Sequence, residues 1–357
     1  CGGGDWIEYL RRRDSLTFLE ALNKLATDAG IELSGINDSQ YKEQKVKMDD
    51  LQREWAEHKK SNDPAYVKYL EGRGYTDITS LDVGYNPKDQ TNPVYIPDRG
   101  VSGDIRGFIR HRIDGVKEQK YMYPAGVLRN VPVNFHKWKG RTELVLVEGI
   151  FDALIADQGG IEGVVSMGTS TLKKQLETAI RYGTKRFILA LDNDEAGYQA
   201  TETAIQIIRG EGLSVLVVTL PDGIKDPDDL MREQGIDAFK QAISEAESIG
   251  HWKAERILSV HGVQSTHDIT QSQKESVIAE ALDWDERLPN ERAREGEDLI
   301  NAIAEATGYS PESLLAERAG IEERQARERK KEAYKNLAKE INRNLEEGNT
   351  ESLASII

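Results

Sequence analysis

The sequence predicts an α/β protein: a parallel sheet with helices, preceded by a mixed α+β subdomain of basic character and followed by a helical region. Three observations carry this expectation. Four apolar runs, Leu144 to Val147, Gly163 to Val165, Phe187 to Leu191 and Val215 to Leu220, are separated by stretches long enough for crossover helices. From Pro97 to Arg141, ten Lys and Arg stand against four Asp and Glu, a local balance of +6 in a chain of 357 residues whose net charge is −15. Beyond Ile249 strand signals stop and Glu, Arg, Ala and Leu dominate, as in helices.

In chain order, Ile7, Leu10, Leu16, Leu19, Leu22 and Leu25 fall at helical spacing, which predicts two short helices between Asp5 and Gly30, with Asp14 and Ser15 as candidate caps. Residues 34–62 are polar and charged, with little apolar periodicity beyond Leu51 and Trp55. A solvated helix and a tether fit them equally, and they are taken as a linker after a first segment, 1–33. Between 63 and 141, Gly, Pro, Asn and Asp punctuate short runs such as Val94 to Ile96 and Ile105 to Ile109, which read as strands. The parallel sheet is expected over 142–246 and a helical subdomain over 247–320. In the tail, 321–357, the part from Glu322 to Leu345 is charged nearly all round.

Hydrophobic residues make up 38% and charged residues 31%, in the range of folded, soluble domains. No run approaches the ~20 apolar residues that cross a bilayer, and Cys1 to Asp5 has no signal-peptide core, so a cytoplasmic location without membrane contact is expected. The single cysteine, Cys1, can form neither an internal disulfide nor a complete Cys-based zinc site. The acidic total argues against bulk electrostatic binding of nucleic acid and leaves a local basic surface to do so.

The chemistry concentrates at strand exits. Leu144 to Val147 runs into Glu148-Gly149-Ile150-Phe151-Asp152, which places a carboxylate at the carboxyl end of a strand, where open α/β sheets bind ligands. Gly149 lets the chain turn there, and Asp152 falls in the first turn of the next helix. Phe187 to Leu191 leads to Asp192-Asn193-Asp194-Glu195-Ala196-Gly197, in which Asp192 and Asp194, two apart, share a side of an extended segment. Asp226-Pro227-Asp228-Asp229 follows the fourth run. Each acid alone is more often a helix cap than a catalyst. Three in order, each after a strand, favour a shared site of Glu148, Asp192, Asp194, Asp226 and Asp228, with oxygen ligands suited to Mg²⁺ or Mn²⁺.

Glu148-Gly149-Ile150-Phe151-Asp152 with Asp192-Asn193-Asp194-Glu195-Ala196-Gly197 resembles the EG-x-x-D and D-x-D-x-A-G pair of the Toprim fold. Pro221-Asp222-Gly223 and Asp226 to Leu230 resemble the segment that follows in bacterial and phage DnaG-type primases, and Ser166-Met167-Gly168-Thr169 resembles their S-L-G-T turn. Upstream, Pro97-Asp98-Arg99-Gly100 with Gly107-Phe108 and Arg112 resembles their basic motif, and Gln119 to Pro124 a degraded P-K-Y-L-N-S-P. Cys1 to Leu10 resembles the last knuckle of the primase zinc ribbon and the helix after it.

The resemblance implies a Toprim-type sheet and a DNA primase, a DNA-dependent RNA polymerase making short primers on single-stranded DNA by two-metal nucleotidyl transfer. It implies metal ligation by Asp192, Asp194, Asp226 and Asp228, with Asp152 beside them. Glu148 would ligate a metal or assist proton transfer. Template and NTP phosphates would meet Arg99, Arg110, Arg112 and Lys120, with Lys137 and Lys139 as weaker candidates. Cys1 would be an orphaned zinc ligand, zinc being bound only in a longer chain that carries its partners. A replicative helicase is the expected partner, through the C-terminal region or an absent extension. A Toprim nuclease, a topoisomerase-like enzyme and a non-catalytic replisome module are the rivals. A nuclease has no need of the Lys120 segment, and no Tyr stands in a recognisable topoisomerase context.

Overall fold

The computed structural model describes residues 6–14, 18–30, 38–60, 62–75, 77–89, 91, 93–114, 120–263, 269–286 and 293–346. They pack as two units: Cys1–Arg141 with Glu148–Thr184, and Thr142–Val147 with Lys185–Ile357.

The first unit opens with α1 (Trp6–Asp14) and α2 (Phe18–Asp28), the two short helices expected. Ser15 lies outside the described residues. The stretch expected as a helix or a tether is helical over α3 (Asp38–His58). It carries one inward stripe, Leu51, Trp55 and His58, and Trp55 is buried against Phe108, with ring centroids 6.0 Å apart. Helix α4 (Pro64–Gly72) starts where Asp63 accepts hydrogen bonds from the backbone N–H of Ala65 (2.9 Å) and Tyr66 (3.4 Å), with Pro64 in the first turn.

An antiparallel sheet follows, in the order β1 (Gly84–Tyr85), β2 (Pro93–Arg99), β3 (Ile105–Arg112) and β4 (Tyr121–Met122). Strand alternation puts Ile105, Gly107, Ile109 and His111 on one face of β3 and Arg106, Arg110 and Arg112 on the other. Gly107 has a steric reason: a Cβ there would lie 2.6 Å from Cβ of Pro124. The unit continues through α5 (Phe135–Trp138), α6 (Ile150–Gln158), β6 (Val164–Ser166) and α7 (Leu172–Arg181).

In the second unit, β5 (Glu143–Val147), β7 (Arg186–Leu189) and β8 (Ser214–Val217) pair in parallel, Leu144 beside Phe187 and Phe187 beside Val215. These three strands coincide with three of the four apolar runs expected as strands, and β6, in the first unit, coincides with the other. Helix α8 (Glu195–Gly210) follows β7, α9 (Pro227–Gln234) follows β8, and α10 (Ile236–Ser244) comes directly after α9. Then come α11 (Ile249–Val260), α12 (Gln271–Glu286), α13 (Ala293–Thr307) and α14 (Pro311–Glu346), the helical region expected from composition. Their core gathers Ile257, Val277, Ala281, Leu299, Ile303 and Leu314. Helices α11 and α13 meet at Gly250, where a Cβ would come 2.2 Å from the Glu295 carbonyl oxygen. No helix among the described residues is long and apolar enough to cross a membrane.

Candidate active site

Where β5 ends, Glu148 and Gly149 lead into α6, and the Gly149 N–H donates to Asp152 Oδ2 at 3.2 Å. Gly149 is extended (φ −77°), so the turn itself asks for no glycine. What the missing side chain provides is space, because a Cβ would sit 2.6 Å from Asp152 Oδ1. The Glu148 carbonyl accepts the Ser166 hydroxyl at 2.9 Å, tying the strand exit to the start of the Ser166-Met167-Gly168-Thr169 turn. Phe151 is anchored from the basic subdomain: its carbonyl accepts the Tyr75 hydroxyl at 3.1 Å, the Arg73 guanidinium lies 4.3 Å from its ring centroid, and the His111 ring is edge-on at 5.0 Å. These contacts fix the first turn of α6 and, with it, Asp152, whose surface is 4% exposed.

In the second unit, Asp194 caps α8 by accepting from the Gly197 N–H at 3.0 Å. Gly197 is required by close approach, since a Cβ would fall 1.9 Å from the Asp192 carbonyl oxygen. Asp226 caps α9 through the Asp229 N–H at 2.8 Å. The two acidic segments are stitched together by Asn193, whose backbone N–H donates to the Lys225 carbonyl at 2.7 Å and whose side-chain amide donates to the Ile224 carbonyl at 3.3 Å. Asp228 is 3% exposed, with Arg232 Nε 3.5 Å from its Oδ2.

The cap reading and the ligand reading are therefore compatible: a capping carboxylate commits one oxygen and retains a second. In the second unit, Asp226 and Asp228 each offer a carboxylate oxygen, and these oxygens lie within 4.8 Å of one another. Paired carboxylates, one of them nearly buried, repel each other unless a cation or proton intervenes, and hard oxygen donors suit Mg²⁺ or Mn²⁺. The donor set thus fits the cation expected from the sequence.

The predicted basic residues fare unequally. Arg99 is held by Asp82 in a two-pronged pair (2.6 and 2.8 Å) and by the Gly103 carbonyl (2.8 Å), a structural clamp that ties β2 to an upstream loop. Arg110 lies 3.3 Å from Asp89 and stays partly exposed, and Arg112 pairs with Asp114. Lys120 is exposed, its ammonium 5.9 Å from the Tyr121 ring centroid. Lys137 pairs with Asp157, and Lys139 lies 5.0 Å from the Tyr182 ring centroid. Cys1 lies outside the described residues.

Sequence reasoning missed two arginines. Arg106 pairs with the buried Asp98 at 2.7 Å and reaches Asn130 at 3.1 Å; its signal was its place two and three strand steps from Arg110 and Arg112 on one face of β3. Burial pushes the Asp98 carboxyl up despite this arginine. Arg129 lies 3.8 Å from the Tyr123 ring centroid and donates to Ser170 Oγ at 2.7 Å, a placement no local pattern announced. Tyr123 is 40% exposed, so an aromatic and a cation meet at the surface beside the Ser166-Met167-Gly168-Thr169 turn.

A family described as Toprim-like matches residues 145–231. The chain is 24% identical to the DNA primase of Clostridium acetobutylicum over 88% of its own length and 59% of that protein's. With the DNA primase of Thermotoga maritima it shares 26% over 71% of its length and 53% of the relative's. It thus spans between half and three fifths of these curated relatives. Among solved structures, the zinc-binding and RNA polymerase domains of Aquifex aeolicus primase superpose with a TM-score of 0.55 at 21% identity, covering 88% of this chain and 85% of that one. The DnaG primase catalytic domain bound to ssDNA gives 0.53 at 22%, covering 74% and 96%. At these identities the superpositions establish the fold. In sequence and in fold, the chain resembles the DnaG-type DNA primases, with a Toprim-like domain at its centre.

Proposed function

We propose that this chain forms the polymerising part of a DNA primase, an enzyme that copies single-stranded DNA into short RNA primers by nucleotidyl transfer. The observation that carries the reading is the pairing of the Asp226 and Asp228 carboxylates on a segment that Asn193 ties to Asp192 and Asp194, all within the stretch that matches the Toprim-like family. These two, with Asp152, Glu148, Asp192 and Asp194, are the residues proposed to hold Mg²⁺ or Mn²⁺. Bound there, divalent ions would lower the pKa of an attacking hydroxyl and offset charge on a leaving pyrophosphate.

The protein's own groups have separable tasks in this reading. Glu148, at the strand exit, is proposed to ligate metal or accept the proton of a 3′-hydroxyl. Asn193 holds the Asp192–Asp194 segment against 224–226, so that the carboxylates are oriented before substrate arrives. Arg110, Arg112, Lys120 and Arg129 supply phosphate contacts, which position a strand without reading its bases. Tyr123 offers a ring on which a base can stack. The clamp on Arg99 gives it a supporting part. Zinc would belong to a longer chain that completes the Cys1 site, and a replicative helicase is the proposed partner of the C-terminal region.

The test is incorporation of labelled ribonucleotides on a single-stranded DNA template with Mg²⁺ or Mn²⁺. The expected result is short RNA product, reduced about 100-fold or more in Asp194→Asn, the order seen when charge-stabilising groups are removed from an active site. Metal-dependent cleavage of labelled DNA without ribonucleotide incorporation would instead establish the nuclease.

A further inference from the structure

Helix α14 sets Leu314, in its first turn, in the helical core. Residues 327–339 are exposed throughout. Along this stretch Arg327, Lys330, Lys331, Tyr334, Lys335 and Ala338 share one face, at spacings of three and four residues. That is the pattern by which a helix normally presents apolar side chains to a core. Here four of the six positions are cationic, and the segment 327–339 holds six Lys and Arg against two Glu, in a chain of net charge −15. The two acids stand to the side, Glu328 3.8 Å from Lys331 and Glu332 3.6 Å from Lys335, exposed pairs of small energetic weight. Tyr334 is 60% exposed, in the middle of the row, with the Lys330 ammonium 5.8 Å from its ring centroid.

We propose that this face of α14 is a binding surface for single-stranded DNA. Concentrated positive charge within an acidic protein selects a polyanion, and a strand is favoured over a duplex by the exposed ring among the cations, because only unpaired bases offer their faces for stacking. The inference goes beyond the catalytic reading, since no residue of α14 belongs to the proposed metal site. Its use would be to hold a strand on the protein while the catalytic residues act elsewhere.

The test is fluorescence anisotropy with the full chain and a labelled oligothymidylate, titrated at several salt concentrations. Three changes together, Lys330→Gln, Lys331→Gln and Lys335→Gln, are expected to weaken binding and reduce the slope of log K against log salt by about 2, at about 0.7 per phosphate contact on a single strand. Tyr334→Ala is expected to weaken binding about tenfold with the slope unchanged. The corresponding Lys→Arg changes should retain binding, and circular dichroism will show that the helix persists in every variant. Asp194→Asn, defective in catalysis under the proposed function, should bind the strand as the parent does, which separates the two ideas. Unchanged affinity and slope in the triple variant would overturn the proposal. So would equal binding of a duplex that is indifferent to Tyr334→Ala, or displacement of the strand by poly-glutamate at matched charge, which would point to an acidic protein partner.

Discussion

The backbone N–H of Asn193 donates to the carbonyl of Lys225 at 2.7 Å, and through this bond two acidic segments thirty-odd residues apart are held side by side. The acids that flank Asn193 and follow Lys225 are Asp192, Asp194, Asp226 and Asp228. Two of them, Asp194 and Asp226, also start helices. The geometry of the candidate site is therefore built largely by backbone groups, which leaves carboxylate oxygens available for chemistry.

Gly197 belongs to this construction. A methyl group there would lie 1.9 Å from the Asp192 carbonyl oxygen, so Gly197→Ala must push α8 away from the exit of β7. Overpacking of this kind destabilises by about 3 kcal/mol. Urea unfolding is expected to show that loss, while Ala196→Gly, one residue earlier on an exposed position, should cost about 1 kcal/mol or less.

Gly149→Ala is expected to behave differently. The added methyl would meet the end of a side chain, Asp152 Oδ1 at 2.6 Å, rather than fixed backbone. The carboxylate can rotate away, so stability should change little. Displacing a ligand or its support costs about 10–100-fold in metal affinity. Isothermal titration with Mn²⁺ is expected to show a loss of that size with an unfolding midpoint near that of the parent. A large fall in the midpoint would mean that Asp152 serves the helix start more than the metal.

The strand exits were legible in the sequence because each couples an apolar run to an acid and a glycine at close range, and the structure explains both glycines by contacts within five residues. The helical nature of 38–58 was ambiguous for a physical reason: a single inward stripe, Leu51, Trp55 and His58, is too sparse to outweigh a polar surface in a sequence window. The basic residues were the least legible. Arg99 meets Asp82, seventeen positions upstream, and Arg129 meets Ser170, forty-one positions downstream. Whether an arginine is clamped or available depends on such distant partners, and charge counting along the chain does not register them.

His111 was not singled out by its sequence context, yet it is 1% exposed, its Nε2 is 2.5 Å from the Tyr69 hydroxyl, and it packs on Phe151. Burial, with help from the nearby Lys120 and Arg73 charges, holds its pKa down to about 3, against 6.5 for an ordinary histidine. Below pH 6.5 the unfolded chain takes up a proton that the folded chain refuses. The contribution is therefore fully present above pH 6.5 and is lost progressively as pH falls toward 3. At pH 5 the loss is about 2 kcal/mol. Denaturant unfolding at pH 7 and pH 5 should show a smaller pH dependence in His111→Gln than in the parent, by about that amount. Equal dependence in the two proteins would show that His111 accepts its proton without opening the structure.

Asp226 allows the two roles of a strand-exit acid to be separated. Its Oδ1 accepts from the Asp229 N–H at 2.8 Å, and one of its carboxylate oxygens lies within 4.8 Å of one from Asp228. Serine caps a helix about as well as aspartate but brings no charge. Asp226→Ser should therefore keep α9 and the overall stability within about 1 kcal/mol of the parent. It should at the same time weaken Mn²⁺ binding and ribonucleotide incorporation, because a pair of carboxylates is reduced to one. Asp226→Ala removes cap and charge together and is expected to lose stability as well, by about 1 kcal/mol. If the serine variant matches the parent in metal affinity and in product formed, Asp226 is a cap and nothing more, and the metal must be held by the remaining acids.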